Sequence, residues 1–102
     1  MPPEGIDEAD IIVNATKVGM KGETEGQSLI LPEFLRPGQF VCDVIYNPPV
    51  TKLLADAKSV GCRTLGGEGM LIHQAAAAFK LWFGFDSDVE LMRRVFRNHF
   101  SL

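Results

Sequence analysis

The sequence predicts an α/β fold, a small sheet of about three parallel strands with flanking helices, and three observations carry that prediction. Two β-branched runs, Ala9 to Ala15 and Gln39 to Tyr46, are near-continuously apolar. That is the pattern of strands covered on both faces rather than of strands with one wet side. A helical stretch with its own start and stop signals follows the second run and leads into a weaker third strand at Arg63 to Leu65. Strand, helix, strand is a parallel crossover unit, expected to be right-handed.

Taken in order, Pro2, Pro3, Glu4 and Gly5 make residues 1–8 read as a linker or an artificial start. The first strand then runs into a segment from Lys17 to Arg36 broken by Gly19, Gly22, Gly26 and Pro32, which predicts loop with one helical turn near Pro32 to Leu35. After the second strand, Thr51 is placed to cap a helix through Leu53, Leu54, Ala57 and Val60, and Gly61 to stop it in a left-handed conformation. Beyond the third strand, Leu71, Gln74, Ala75, Ala78, Phe79 and Trp82 keep helical spacing within Met70 to Phe83. Ser87-Asp88-Val89-Glu90 reads as a capping box in which Ser87 and Glu90 satisfy each other's backbone donors, opening a last helix. Met92, Val95 and Phe96 give that helix an apolar side, while Arg93, Arg94, Arg97 and His99 form a solvated basic face suited to its C-terminal dipole.

Composition narrows the function. At 102 residues the chain has room for one core. Lys plus Arg number 10 against 13 Asp plus Glu, a formal charge of -3, which gives no footprint for nucleic acid or an anionic membrane. Cys42 and Cys62 lack CxxC spacing, so reduced core thiols are expected rather than a metal cage. No window approaches the roughly 20 apolar residues of a membrane span, and no basic leader precedes an apolar run. A cytoplasmic location is the resulting expectation.

Three segments carry chemistry. Asn14-Ala15-Thr16-Lys17-Val18-Gly19-Met20 follows a strand, Asp43-Val44-Ile45-Tyr46-Asn47-Pro48 ends one, and Gly66-Gly67-Glu68-Gly69-Met70-Leu71-Ile72-His73-Gln74-Ala75-Ala76 opens a helix. In an open parallel sheet, ligands bind beyond the carboxyl ends of the strands, where all three segments fall. Gly66, Gly67 and Gly69 allow close backbone approach, and a helix N-terminus offers amide donors. The alternative is a glycine-rich turn with no ligand. Gly67 to Ile72 is not a dinucleotide fingerprint, because Ile72 stands where GxGxxG needs a small residue. Asp43, in an otherwise apolar strand, is either held structurally by backbone amides or used functionally.

Together these motifs resemble the C-terminal part of shikimate dehydrogenases: an Asn-Ala-Thr…Gly-Met loop, an Asp…Tyr-x-Pro segment and Gly-x-Gly-Met-Leu…Gln-Ala-Ala, over roughly residues 9 to 84. The resemblance implies the second half of a doubly wound, Rossmann-type domain. Residues 9–84 would form the C-terminal half of the NADP-binding domain and 85–102 a C-terminal helix. It implies a parent enzyme that reduces 3-dehydroshikimate to shikimate with NADPH, or a quinate-accepting relative using NAD. Residue by residue, it assigns Tyr46 and Gln74 to the substrate, and Thr16, Val44, Gly67 and Met70 to the cofactor. Against these stand a core tyrosine, a surface glutamine and a methionine that merely fills space. The loop departs from the common family form at Lys17, and His73 receives no family role.

The resemblance also implies what lies elsewhere in such an enzyme: the phosphate-binding glycine turn, the residues that read the 2'-phosphate, and the lysine-aspartate pair. This stretch alone is therefore expected to be inactive. An open strand edge, together with Phe96 and Phe100 on the last helix, leads to an expectation of homo-oligomers by edge pairing or swapped elements. A non-catalytic, self-associating α/β domain is the competing expectation.

Overall fold

The computed structural model describes residues 4–100. In chain order it contains strand β1 (Ile11–Asn14), a 3-10 turn (Pro32–Phe34), strand β2 (Phe40–Asp43), helix α1 (Lys52–Val60), strand β3 (Arg63–Leu65), helix α2 (Glu68–Phe83) and helix α3 (Val89–Phe100). The strands form one parallel sheet in the order β1-β2-β3. The chain divides into two compact units, one ending at Gly67 and the other starting at Glu68.

The sheet unit is built around Ile12, Val41, Leu53, Leu54 and Ala57, with Ile30, Leu35 and Cys62 completing one buried cluster. Helix α1 forms because Thr51 accepts the Leu54 amide at 3.3 Å and Gly61, at φ 106°, turns the chain out while its N–H bonds to the Ala57 and Lys58 carbonyls. Leu53, Leu54 and Ala57 place its apolar stripe on the sheet, where burying each leucine is worth about 1.5–3 kcal/mol. Ala57 is fully buried, so a larger side chain there would overpack the helix–sheet contact.

Two expectations about the strands are corrected. Both are shorter than their apolar runs, because Asn14 and Asp43, register partners at the end of the sheet, each turn the chain with a side-chain bond two residues on. Thr16 N–H donates to Asn14 Oδ1 at 3.1 Å and Ile45 N–H to Asp43 Oδ1 at 3.1 Å. Nor is β1 covered on both faces: Ile12 is buried, whereas Ile11 and Val13 are 66% and 55% exposed. Leu65 on β3 is exposed in register with Val13 and Cys42. One face of the sheet packs on α1, and the other presents apolar side chains.

Of the expected linker over residues 1–8, residues 1–3 lie outside the described residues. The following turn is fastened: Ala9 N–H bonds to the Gly5 carbonyl, and Gln39, completely buried, donates from Nε2 to the Ile6 and Ala9 carbonyls at 2.8 and 2.9 Å. Gln39 Oε1 accepts the Arg36 amide, so this interior amide is satisfied at both ends.

In the helical unit, α2 ends at Gly84, whose φ of 76° bends the chain as its amide bonds to the Lys80 carbonyl. Phe79 packs tilted against Phe83 and edge-to-face with Phe85, at centroid distances of 4.7 and 5.4 Å. The expected capping box is shifted by one residue. Asp88 caps α3, its Oδ1 accepting the Leu91 amide at 3.0 Å, while the Ser87 hydroxyl is buried with no partner. Glu90 pairs instead with Arg93 at 2.7 Å. A carboxylate is as good an N-cap as a hydroxyl and adds charge favourable to the dipole. Residues 101–102 of the expected C-terminal helix lie outside the described residues.

Candidate functional site

The carboxyl ends of β1, β2 and β3 are joined by one hydrogen-bonded corner. Strand β1 passes into the loop at Asn14, whose Nδ2 donates to the Val18 carbonyl at 3.1 Å and to Asp43 Oδ1 at 3.2 Å. Its Oδ1 accepts the Thr16 amide and, at 2.6 Å, the Thr16 hydroxyl. The Thr16 oxygen in turn accepts the Val18 amide at 3.2 Å. Strand β2 ends at Asp43, buried at 2% exposure, whose Oδ2 accepts the Thr51 hydroxyl at 2.8 Å. The Val44 amide returns to the Asn14 carbonyl, and Lys21 N–H to the Asn47 carbonyl at 2.9 Å, so both loops are tied across. The Asn47–Pro48 peptide is cis.

Gly19 fits this corner for a backbone reason. It is buried with φ 103°, and a β-carbon would stand 3.2 Å from the Gln27 carbonyl oxygen and 3.6 Å from Thr51 Cβ. The third segment arrives from β3 at Gly67, whose N–H donates to the Ile45 carbonyl at 3.1 Å. A β-carbon on Gly67 would press into the Val44 carbonyl oxygen and lie 2.8 Å from that of Ile45. That contact alone requires glycine at this position.

The sequence-assigned residues fall as follows. Thr16, Val44, Tyr46 and Gly67 all belong to the sheet unit and gather at its carboxyl-end corner. Val44 and Tyr46 are half-buried and Gly67 is buried, whereas Thr16 is exposed with its hydroxyl proton given to Asn14. Met70, 56% exposed, and Gln74, also exposed, lie on α2 in the helical unit. His73 is exposed beside Gln74. The residues that hold the corner together are Asn14, Asp43 and Thr51. Asn14 and Asp43 stood in the motifs, and Thr51 was read only as a helix cap. Their joint signal was a polar residue closing each apolar run.

Two further clusters bear on reactivity. The thiols are unpaired, with Cys42 half-buried and Cys62 buried, and burial pushes both above their usual range, Arg36 pulling Cys62 partly back. Neither has the character of a nucleophile. In the helical unit, Arg97 forks onto Glu68 at 2.7 and 3.2 Å, and that hydrogen bond, reinforced by the charges of Arg97 and Arg93, holds the Glu68 carboxyl below its ordinary range.

A parallel sheet whose strand-end loops are braced into one corner and followed by a glycine turn into a helix defines half of a doubly wound, Rossmann-type α/β unit. The family model of the shikimate 5'-dehydrogenase C-terminal domain matches residues 67–95. The chain is 52% identical over 93 residues to the shikimate dehydrogenase (NADP(+)) of Pyrococcus abyssi, covering 91% of this chain and 34% of that protein. It superimposes with a TM-score of 0.85 and 33% identity on the Thermus thermophilus shikimate 5-dehydrogenase in complex with NADP(H) and shikimate, covering 96% of this chain and 37% of that one. A Corynebacterium glutamicum quinate dehydrogenase in complex with NAD matches with a TM-score of 0.79 and 39% identity, over 92% and 34% of the two chains. The chain belongs to the shikimate dehydrogenase family and spans about a third of the length of the curated relatives it matches.

Proposed function

We propose that this chain supplies the nicotinamide-facing wall and part of the substrate pocket of an NADP-dependent shikimate dehydrogenase, which reduces 3-dehydroshikimate to shikimate with NADPH. The observation that carries the reading is the braced corner, where Thr16, Val44 and Gly67 are held by strand-end hydrogen bonds and Tyr46 follows on the same turn after β2. A half-buried valine, backbone carbonyls and a side-chain-free glycine suit the flat ring and carboxamide of a nicotinamide better than a phosphate. NADPH, when bound, supplies the hydride.

This chain's own residues bind and orient. Val44 and Gly67 offer main-chain groups and a close wall to the ring, and Met70 packs against it. Thr16 shapes the loop beside the cofactor, since its proton is committed to Asn14. Tyr46 and Gln74 hydrogen-bond the ring hydroxyls of the substrate. Proton transfer belongs to a lysine-aspartate pair of the kind found elsewhere in this family, and a cytoplasmic location is part of the same proposal. Isothermal titration of this chain with NADP, with NAD in parallel, tests the reading. NADP binding that Val44→Asp abolishes is expected. Binding of neither nucleotide would overturn it; because the residues by which this family reads the 2'-phosphate are not among those assigned in this chain, NADP and NAD are expected to bind alike.

A further inference from the structure

We infer that Asp43 is a positioning residue: its buried carboxylate sets the loop after β1, the turn after β2 and the start of α1 together, and so holds the groups that face the cofactor. The inference rests on the proposed nicotinamide-binding role of this corner. Asp43 is 2% exposed and accepts three donors, from Ile45 N–H, the Thr51 hydroxyl and Asn14 Nδ2. Each donor belongs to a different segment. A carboxylate accepts on both oxygens at once. An asparagine could keep its oxygen on Ile45 and Asn14 and give its NH2 to the adaptable Thr51 hydroxyl, whereas an apolar residue would leave all three donors unmatched.

The influence reaches further than these contacts. An amide side chain can face either way, and Asp43 accepts one N–H of Asn14 while the Val18 carbonyl accepts the other. Asn14 Oδ1 must then point at the Thr16 amide and hydroxyl, and the oriented Thr16 oxygen accepts the Val18 amide. On the other side, the hydroxyl that donates to Asp43 is the same atom that caps α1 through Leu54. One side chain thereby fixes an order running from Thr51 through Asp43 and Asn14 to Thr16 and Val18. Gly19, packed against Thr51, closes the loop back on the cap. Were Asp43 merely a filler of the sheet end, its loss would loosen the sheet evenly.

The test is amide hydrogen exchange on the full 102-residue chain, run beside an NADP titration. In Asp43→Ala, the amides of Thr16 and Val18, neither of which bonds to Asp43, are expected to exchange at least about tenfold faster, while Gly61 and Cys62 at the far end of α1 keep wild-type rates. NADP affinity is expected to fall by about the same factor. Asn14→Ala leaves the carboxylate and its Ile45 and Thr51 donors in place, and it should speed Val18 exchange with Leu54 still protected. Thr51→Ser, which keeps the hydroxyl, should restore wild-type behaviour. Unchanged Val18 exchange in Asp43→Ala would overturn the inference, as would an equal rise at Gly61 and Cys62. Should the wild-type chain bind no nucleotide, the cofactor reading fails, while the exchange pattern still decides whether Asp43 orders the corner.

Discussion

Gly67→Ala is expected to destabilise the chain whether or not a cofactor is present. The added methyl would press into the Val44 carbonyl oxygen and stand 2.8 Å from that of Ile45. Both are backbone atoms at the end of β2, so no rotamer change relieves the overlap. Gly67 is not among the glycines with positive φ, and the cost is therefore steric rather than conformational. Overpacking of this kind costs about 1–3 kcal/mol. Moving the turn away also sacrifices the 3.1 Å bond from Gly67 N–H to Ile45, about 1 kcal/mol more. The reduced freedom of the unfolded chain offsets less than about 1 kcal/mol, leaving a net loss of about 2–3 kcal/mol. In urea unfolding followed by circular dichroism, with a slope of about 1–3 kcal/mol per molar, the midpoint should fall by about 0.7–3 M. Gly69, two residues on, supplies the control. A β-carbon there meets nothing within 4 Å and lies inside α2, so Gly69→Ala should gain about 0.5–1 kcal/mol. A Gly67→Ala midpoint indistinguishable from wild type, or an equal loss at Gly69, would refute the steric argument.

Two further outcomes are expected. Arg97 holds the Glu68 carboxyl below its ordinary value of 4.5, so the stabilisation is present above that pH and is lost as pH falls through the lower folded value. Helical signal should weaken below about pH 4.5 in the wild type, and Arg97→Met should flatten that acid limb; an unchanged acid limb in the variant would remove the pair from the pH response. Ile11, Val13 and Leu65 leave one sheet face apolar and exposed beside unpaired strand edges, so the chain should self-associate. Sedimentation at micromolar concentration should give a mass above that of one chain, reduced by Val13→Lys, whereas a monomeric mass for the unmodified chain would contradict it.

The three parallel strands and α1 were legible because their signals are local. A threonine before an apolar helical stripe and a glycine after it name the ends of α1, and β-branched runs name the strands. What misled was treating the apolar runs as strand lengths. Asn14 and Asp43 stop both strands through bonds to amides two residues on, and apolar periodicity is blind to that competition between side chain and backbone. The same blindness displaced the α3 cap from Ser87 to Asp88, two adjacent residues that cap equally well in isolation. The covering of β1 was overestimated because an apolar side chain shows its tendency to be buried, not whether a neighbour is available to bury it. Gln39 was passed over for the opposite reason. Nothing local marks a glutamine whose partners are the carbonyls of Ile6 and Ala9, some 30 residues away.

The family motifs name positions, and the physical reason for several of them is internal to the corner. Gly67 is glycine because Val44 and Ile45 leave no room. Thr16 spends its proton on Asn14, and Asn14 is oriented by Asp43. A ligand arriving at this end of the sheet therefore meets main-chain groups and loops whose directions are already set by bonds within the chain. Ordering those loops on binding would otherwise cost about 0.5–1.5 kcal/mol for each side chain immobilised. Hydride transfer depends on a near-contact distance and orientation between two bound molecules, where an error of about 1 Å lowers the rate a hundredfold. Under the proposed nicotinamide-facing role, a rigid wall at the strand ends meets that demand better than one formed on binding. Residues with no contact to either molecule should then rank with the contact residues in their effect on catalysis, Asp43 first among them.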